Sequence, residues 1–241
     1  MSEALSTATR ERLASVATAT LAGVLHKRGI RSTILSGLSR VNPGAPMVGV
    51  AHTLRYLPMR DDLIPRFATR TNMQREAVEA LQEGEVLVIS ARNVPDAGTI
   101  GDIYAMRAMR LGAGGIVTDG ATRDTPALAE IEIPVYHRSA HGSTYRRHHM
   151  PVDRQIPVDC AGVTVLPGDV IVGDAEGVIC VPRDHVDEVA QDAAEQELAE
   201  DWALERVAAG ETTDGTFPVT DARRPEFEAW LAARDRDGGS S

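Results

Sequence analysis

The sequence predicts an α/β fold, and three observations support this prediction. A β-α-β pattern occupies the middle of the chain, short β-type runs follow it, and amphipathic helical patterns lie near both ends. With 241 residues, 43% of them hydrophobic, the chain is long enough to bury one full core. Only 4% of the residues are aromatic, so we expect a core of Val, Ile, Leu and Ala.

The N-terminal part contains alternating helical and strand patterns. Apolar residues recur at three- and four-residue spacing until Gly29, which is typical of one amphipathic helix. A β-type run follows the turn signal Asn42-Pro43-Gly44, and a second, shorter run follows Gly84. The predicted elements are a helix over 8–28, a strand over 47–57, a helix over 73–83 and a buried strand over 86–90.

The β-α-β unit carries the most informative polar residues. It consists of strand 86–90, a helix over 102–112 and strand 116–118, joined by a right-handed crossover. Asp102 begins the helix, and Arg123-Asp124 follows the second strand. The carboxyl ends of parallel strands share one edge of a sheet, so we expect these side chains to lie together. Two carboxylates and a guanidinium can hold a hard cation and polarise a substrate oxygen.

Simpler interpretations of these residues exist. Asp102 can be a helix N-cap in a turn shaped by Gly98 and Gly101, and Arg123-Asp124 can be a charged loop. Against this, the unpaired amides at the start of the helix, those of Ile103 and Tyr104, can receive a carboxylate or a phosphate.

The C-terminal half predicts a β-meander and a long helix. Three short strands lie within residues 162–181, and Asp169 and Asp174 are expected as turn residues. The main domain is expected to span residues 1–210, followed by an extension over 211–241. Within these limits we predict a helix over 184–209, a turn-rich stretch over 211–223, a short helix over 225–233 and a disordered tail over 235–241.

Other chemical candidates are weaker. The segment 137–149 is locally basic and is either a solvated loop or a binding element for an anionic substrate. His148 and His149 are adjacent in sequence, which disfavours zinc binding, and Ser143 lacks a nucleophile-elbow context. Cys160 and Cys180 lie beside apolar runs and are expected to be buried, reduced thiols.

Composition excludes several classes of function. A formal net charge of −10 disfavours a nucleic-acid partner, because phosphate neutralisation needs a basic face. No apolar run is long enough to cross a bilayer, and the N-terminus lacks a basic segment followed by an apolar one. We therefore expect a cytosolic protein that does not enter membranes.

Three segments together resemble a known family. They are 101–124, from Gly-Asp-Ile-Tyr to Thr-Arg-Asp, then Ile133-Pro-Val, and then 160–182, with Pro-Gly-Asp-Val-Ile-Val-Gly-Asp-Ala-Glu-Gly-Val. The family contains the 4-hydroxy-4-methyl-2-oxoglutarate (4-carboxy-4-hydroxy-2-oxoadipate) aldolases and the regulator of ribonuclease activity A. The resemblance covers about residues 10–210 and implies a swivelling three-layer β/β/α domain.

In the aldolase branch, the resemblance implies a divalent-metal pyruvate aldolase that also decarboxylates oxaloacetate. Asp124 would coordinate Mg²⁺ or Mn²⁺, Asp102 would hold a metal-bound water, and Arg123 would contact the pyruvate oxygen that becomes the enolate. The Gly101 turn and the amides of Ile103 and Tyr104 would take the pyruvate carboxylate. Glu200 would reach the metal waters of a neighbouring subunit in a homotrimer or homohexamer.

Two departures from the family pattern concern the substrate. A glutamate of the first helix is replaced by Gly23, and a lysine before the predicted meander is absent, with Arg146, Arg147 and His148 nearby. The stretch 53–62 is inserted. We hypothesise a hydroxylated substrate such as a 2-keto-3-deoxy sugar acid.

Two alternatives remain open. The regulator branch binds a ribonuclease without catalysis, and an acidic surface suits that role. Regulators typically lack the acid that matches Asp124, so its presence favours an enzyme. Metal-dependent dehydratase or tautomerase action on a keto acid would use the same enolate.

Overall fold

The computed structural model describes residues 4–68 and 72–238. Within these ranges the chain has eight α-helices and thirteen strands, with 3₁₀ turns at Tyr145–Arg147 and Arg183–His185. The helices are α1 Thr7–Ser15, α2 Thr18–Lys27, α3 Ile64–Ala68, α4 Met73–Glu79, α5 Asp102–Arg110, α6 Thr125–Ala129, α7 Val186–Ala208 and α8 Arg224–Gly238. The strands are β1 Ser39–Arg40, β2 Met47–Pro58, β3 Glu85–Ser90, β4 Gly98–Ile100, β5 Gly115–Thr118, β6 Ala121–Thr122, β7 Val135–His137, β8 Ser139–Ala140, β9 His149–Arg154, β10 Val158–Cys160, β11 Val163–Val165, β12 Val170–Gly173 and β13 Val178–Val181.

A mixed sheet forms the centre of the molecule. Its strand order is β1-β7-β5-β3-β2-β12-β13, and β9 also pairs with β2. Strands β2, β3, β5 and β7 are parallel to one another, and the outer pairings are antiparallel. Strand β3, helix α5 and strand β5 form the predicted β-α-β unit, with Val86 opposite Gly115. The α/β prediction is therefore confirmed.

A small second parallel sheet extends the first. Strands β4, β6 and β8 form it, and each follows a strand of the main sheet, namely β3, β5 and β7. The sequence pattern does not predict this sheet, because its strands have only two or three residues. It matters for function because β4 leads into α5 and β6 leads into α6.

Alternate side chains of β3 pack into two different hydrophobic clusters. Val86 and Val88 pack with the hairpin β10-β11, whereas Leu87 and Ile89 pack with α4 and α5. All four side chains are fully buried, which removes their apolar surface from water on both faces of the strand. A third cluster joins α1, α2 and α7 to β12 and β13.

The two cysteines are buried free thiols, as predicted. Cys160 is the last residue of β10 and lies in the core, and Cys180 lies in β13. Burial raises the pKa of both thiols, so neither is a reactive thiolate at neutral pH. No helix among residues 4–68 and 72–238 has the combined length and apolar character that a bilayer crossing requires.

The single helix predicted over residues 8–28 is wrong, because the chain breaks it into α1 and α2. Val16 and Ala17 are extended, with ψ of 137° and 144°. The carboxylate of Asp174 accepts hydrogen bonds from the backbone N–H of Thr18 at 2.8 Å and from its hydroxyl at 2.9 Å. Glu197 accepts from the N–H of Ala17 at 2.7 Å. Carboxylates that are distant in sequence thus accept hydrogen bonds from backbone N–H groups that the break leaves without a helical partner.

The predicted β-meander is also wrong in its first strand. Strand β11 pairs with β10 and not with β12, through a two-residue turn in which Ala161 and Gly162 have φ of 53° and 84°. Strand β12 has both edges occupied, by β2 and by β13. The hairpin β10-β11 therefore covers a face of the main sheet instead of joining it. Asp169 and Asp174 do lie in turns and accept backbone hydrogen bonds there.

The C-terminal extension packs back onto α7. Helix α8 runs to Gly238, so the disordered tail predicted from residue 235 is wrong for residues 235–238, and residues 239–241 lie outside the described ranges. The side chain of Trp202 is completely buried, with the ring of Phe227 at 5.8 Å and the guanidinium of Arg223 at 4.9 Å. These contacts hold α8 in place because they cover an indole that would otherwise face water.

Replacing Phe227 with Ala is expected to lower the free energy of unfolding by about 2 kcal/mol, because its buried ring would leave a cavity beside Trp202. Urea unfolding followed by tryptophan fluorescence measures this change. Phe217→Ala is the matched control, since that ring is 52% exposed and its loss should cost less than about 0.5 kcal/mol. Equal effects of both substitutions would contradict the assigned role of Phe227.

Candidate functional site

Residues that are distant in sequence meet at the carboxyl edge of the parallel strands. Asp102 is the first residue of α5, directly after β4, and Arg123-Asp124 lies between β6 and α6. These three residues and the segment from Gly98 to Tyr104, which joins β4 to α5, line one cavity of about 550 Å³. The expectation that Asp102 and Arg123-Asp124 share one edge is confirmed.

Gly101 provides the space for the Asp124 carboxylate. A Cβ atom at Gly101 would lie 2.6 Å from Oδ2 of Asp124, so any larger residue would displace that carboxylate. Gly101 is also the N-cap of α5, which corrects the interpretation of Asp102 as the cap. Asp102 occupies the first helical position instead, and its Oδ1 accepts the N–H of Ile103 at 2.7 Å. A substrate carboxylate would therefore compete with Asp102 for that amide.

The backbone of Asp124 has an uncommon conformation. Its φ and ψ are 55° and 35°, in the left-handed region that non-glycine residues rarely adopt and that is enriched at functional sites. Although Asp124 is the N-cap residue of α6, its side chain makes no capping hydrogen bond. Within residues 4–68 and 72–238 its carboxylate has no hydrogen-bond or ion-pair partner. The carboxylate is therefore available to a ligand.

The Arg123 side chain crosses the small sheet at Gly98. The backbone N–H of Arg123 donates to the carbonyl of Ile100 at 2.8 Å, which fixes the backbone. The Cγ of its side chain occupies the space that a side chain at residue 98 would need. Its Nε is buried and has no partner among the described residues. A buried, unsatisfied donor is costly unless a ligand or water accepts from it, so this group is free to donate to a ligand oxygen or to water.

Helix α4 forms another wall of the cavity, and the sequence pattern did not predict this. Its polar face contributes Gln74, Arg75 and Glu79, with Asn72 immediately before the helix. The pattern of residues 73–83 indicated a helix but not which cavity its polar face would line. Nothing local in the sequence identifies these residues as part of a site.

The basic segment 137–149 borders the same cavity. Thr144, Tyr145 and Arg146 line it, which agrees with the expectation of cations near the site. The segment is not a loosely solvated loop, because Asp96 binds His148 Nε2 at 3.0 Å and Arg147 Nη2 at 3.3 Å. The hydrogen bond from His148 lowers the pKa of Asp96 below its usual value.

His149 is buried behind this wall. The residue is 0% exposed, its ring packs 5.7 Å from that of Tyr56, and neither ring nitrogen has a partner in the described part of the chain. Burial lowers the pKa of His149 to about 4, so the ring is neutral in the folded protein at pH 7.

This burial predicts a loss of stability in mild acid. An unfolded histidine becomes protonated below its ordinary pKa of about 6.5, whereas folded His149 stays neutral until about pH 4, so stability declines as the pH falls through that window. We expect His149 to account for about 2 kcal/mol of the loss between pH 7 and pH 5. Urea titrations at both pH values should show a smaller decline for His149→Phe than for the unmodified chain. His26→Phe, at an exposed position, should leave the decline unchanged.

Glu200 does not lie in the cavity of its own chain. It is half-buried on α7 and accepts a hydrogen bond from Gln196 Nε2 at 2.8 Å. Gly23 lies beside the same glutamine, since a Cβ at Gly23 would be 3.8 Å from Gln196 Nε2. Gln196 therefore occupies the region next to the position where the family pattern has a glutamate and this chain has Gly23. A contribution from Glu200 to the site requires a second subunit.

The donor set suits a hard cation that keeps much of its water. Asp124 offers an unpaired carboxylate, and Asp102 borders the same cavity. Among residues 4–68 and 72–238, no group of three or more His, Cys, Asp or Glu side chains could enclose a metal ion. Mg²⁺ typically binds through one or two carboxylates plus water, so the residues present fit Mg²⁺ or Mn²⁺ better than zinc.

Comparisons with known proteins agree on one family. The family model described as RraA-like, Aldolase/RraA, matches residues 17–180. A protein of Halalkalibacterium halodurans, provisionally named 4-hydroxy-4-methyl-2-oxoglutarate aldolase, is 34% identical over 131 residues, which are 54% of this chain and 61% of that protein. Protein DlpA of Legionella pneumophila is 26% identical over 204 residues, which are 85% of this chain and 32% of DlpA. The chain therefore spans less than two thirds of both relatives.

A solved structure covers more of the fold. The crystal structure of Streptomyces coelicolor RraAS2, described as an unusual member of the RNase ES inhibitor RraA protein family, superposes with a TM-score of 0.76. It is 31% identical to this chain and covers 83% of this chain and 98% of its own. The fold predicted from the resemblance is confirmed.

Proposed function

The chain belongs to the RraA-like family, and from this premise we propose that it is a divalent-metal-dependent pyruvate aldolase. It would cleave a 4-hydroxy-2-oxo acid to pyruvate and a carbonyl product, and it would decarboxylate oxaloacetate as a side activity. One observation supports this most: the unpaired Asp124 carboxylate lies against Gly101, in a cavity that also contains Asp102 and Arg123.

Each residue would have a separate task. Asp124 would bind Mg²⁺ or Mn²⁺ directly, and Asp102 and Glu200 of a partner subunit, in a homotrimer or homohexamer, would hold the ion through its water. When bound, the ion supplies positive charge beside the 2-oxo group. The guanidinium of Arg123 would donate to the 2-oxo oxygen, and the start of α5, with Gly101 and the amides of Ile103 and Tyr104, would orient the carboxylate.

Arg123 would act mainly on the transition state. In the cleavage, the 4-hydroxyl gives up its proton to water and becomes the carbonyl of the leaving product, while the bond between C3 and C4 breaks. Its electron pair moves into the enolate of pyruvate, so negative charge develops on the 2-oxo oxygen, and a proton from water at C3 then gives pyruvate. A guanidinium already held at that oxygen stabilises the transition state, where this charge develops, more than it stabilises the neutral ketone of the bound substrate. Loss of CO₂ from oxaloacetate produces the same enolate, which is why one site serves both reactions.

The polar cavity wall favours a substrate whose chain carries hydroxyl groups beyond the pyruvate part. Asn72, Glu79 and Tyr145 make the wall polar, although Asn72 already hydrogen-bonds to Tyr145 and Glu79 already pairs with Arg107. Arg75 and Arg146 add positive charge. We therefore retain a 2-keto-3-deoxy sugar acid as the proposed substrate class. Such a substrate presents several hydroxyl groups along its chain, which a polar wall can hydrogen-bond.

A coupled pyruvate assay tests the proposal. With oxaloacetate and with a panel of 4-hydroxy-2-oxo acids that includes sugar acids and tricarboxylates, pyruvate release should require Mg²⁺ or Mn²⁺ and stop with a chelator. Release from the sugar acids above release from the tricarboxylates would support the substrate class. Absence of pyruvate from every substrate would refute the aldolase proposal, and loss of water or isomerisation without pyruvate would indicate a dehydratase or tautomerase.

A regulatory function is the second candidate, because RraAS2 is described as belonging to a ribonuclease-inhibitor family and 98% of the RraAS2 chain superposes on 83% of this chain. The net charge of −10 suits a basic protein partner. Adding the chain to an endoribonuclease of that type and measuring RNA cleavage tests this function. Inhibition that persists in Asp124→Ala would show that it does not depend on the metal site.

A further inference from the structure

A second cavity lies at the other end of β3 from the candidate site. It has a volume of about 500 Å³, within the range of small-molecule sites. Its walls come from the start of the chain, the connection from Ala80 to Glu85 that precedes β3, and neighbouring parts of β2 and β9. The proposed aldolase reaction uses none of these residues.

His52 carries an unsatisfied ring nitrogen in this wall. The residue is 2% exposed and lines the cavity. Its Nδ1 lies 3.0 Å from Oε2 of Glu85, whereas its Nε2 is buried and has no partner among residues 4–68 and 72–238. Leaving such a group unpaired costs free energy, which a bound ligand would recover.

Glu85 fixes the orientation of the His52 ring. Its carboxylate also accepts the N–H of Gln82 at 2.9 Å. Desolvation opposes ionisation of Glu85, but the hydrogen bonds from His52 and Gln82 outweigh it and lower its pKa. The ionised carboxylate accepts from Nδ1–H, which leaves Nε2 for a ligand. When the ring is protonated, Nε2 is a donor.

Two guanidinium groups border the same cavity. Arg10 donates from Nη1 to the carbonyl of Val48 at 2.8 Å, which holds its guanidinium beside Gly84. The guanidinium of Arg154 donates to no acceptor in the described part of the chain. The other acid in the wall is Glu83, which is exposed and whose side-chain stem packs over Gly112.

We propose that this second cavity binds a small anion, a carboxylate or a phosphate, between the guanidinium groups of Arg10 and Arg154 and the Nε2 atom of His52. Arginine forks match the planar oxygens of carboxylates and the oxygens of phosphate. His52 adds a hydrogen bond from the buried Nε2 when its ring carries a proton on both nitrogens, with Nδ1–H donating to Glu85 and Nε2–H to the anion. The cavity is therefore a ligand site that is separate from the metal and enolate residues.

Inorganic phosphate and succinate are the probes, each titrated into the full chain in the presence of a chelator. Histidine selectively labelled with ¹⁵N reports the imidazole signals, and the His52 signal is identified by its loss in His52→Gln. We expect the His52 signal to shift saturably with at least one probe. The probe that produces the shift identifies the chemistry of the anion.

Arg154→Gln should weaken the binding that shifts this signal by about tenfold or more, because it removes a charged hydrogen-bond donor. Arg12→Gln is the control, since it removes the same charge from α1 at an exposed position outside the cavity. Arg10→Gln is a second test, and its fold is checked by circular dichroism because Arg10 also contacts Val48. A His52 signal that neither probe moves, or a shift that Arg154→Gln leaves unchanged, would overturn the proposal.

Discussion

Asp124→Ala is expected to lower metal-dependent pyruvate release by roughly a thousandfold, because the substitution removes the unpaired carboxylate that would hold the ion. Mn²⁺ affinity, measured by calorimetry, should fall in parallel. The free energy of unfolding should change little, since this side chain makes no hydrogen bond to the described residues. Turnover that survives Asp124→Ala would contradict the assigned role.

Two further variants separate charge from backbone conformation. Asn tolerates the left-handed region nearly as well as Asp, so Asp124→Asn keeps the turn and removes only the charge. It should lose almost as much activity as Asp124→Ala. Glu130→Ala removes an exposed carboxylate at the end of α6 and should leave activity unchanged.

Arg123→Ala is expected to lower kcat by on the order of 10²–10³-fold while Mn²⁺ affinity changes little, because the guanidinium stabilises charge that develops only in the transition state. Arg123→Lys should restore only part of the loss, since an ammonium group cannot reproduce the planar fork of donors. Steady-state kinetics with oxaloacetate and Mn²⁺ calorimetry measure both quantities.

The control for Arg123 is Arg110→Ala, an exposed position at the end of α5. It removes the same charge from the neighbourhood of the site without touching the cavity. A decrease in Mn²⁺ affinity as large as the decrease in kcat would show that Arg123 acts through the metal and not on the enolate oxygen.

Local pattern was enough to predict the central unit. Four consecutive apolar residues of β3, the glycine-punctuated turn and the helical period after Asp102 are short-range signals, and a parallel crossover has a single favoured hand. That geometry places residues after β3 and β5 at one edge. The shared location of Asp102 and Arg123-Asp124 therefore followed from the sequence.

Contacts between distant segments decided the rest. The break at Val16-Ala17 depends on carboxylates of Asp174 and Glu197, more than 150 residues away. The pairing of β11 depends on whether the edges of β12 are free. Neither contact can be predicted from neighbouring residues alone. Helix and strand patterns also do not indicate whether the edge of a strand, here β12, is already paired.

By itself, then, the sequence determined the α/β class, the β-α-β unit and the acidic and basic residues at its carboxyl edge, because hydrophobic period and crossover handedness are local rules. Only the tertiary structure decided that a small parallel sheet carries those residues, that α4 and the 144–146 segment wall the cavity, and that Gly101 makes room for Asp124. These features arise from packing between segments far apart in the chain, where the available space and the free hydrogen-bonding edges select the arrangement.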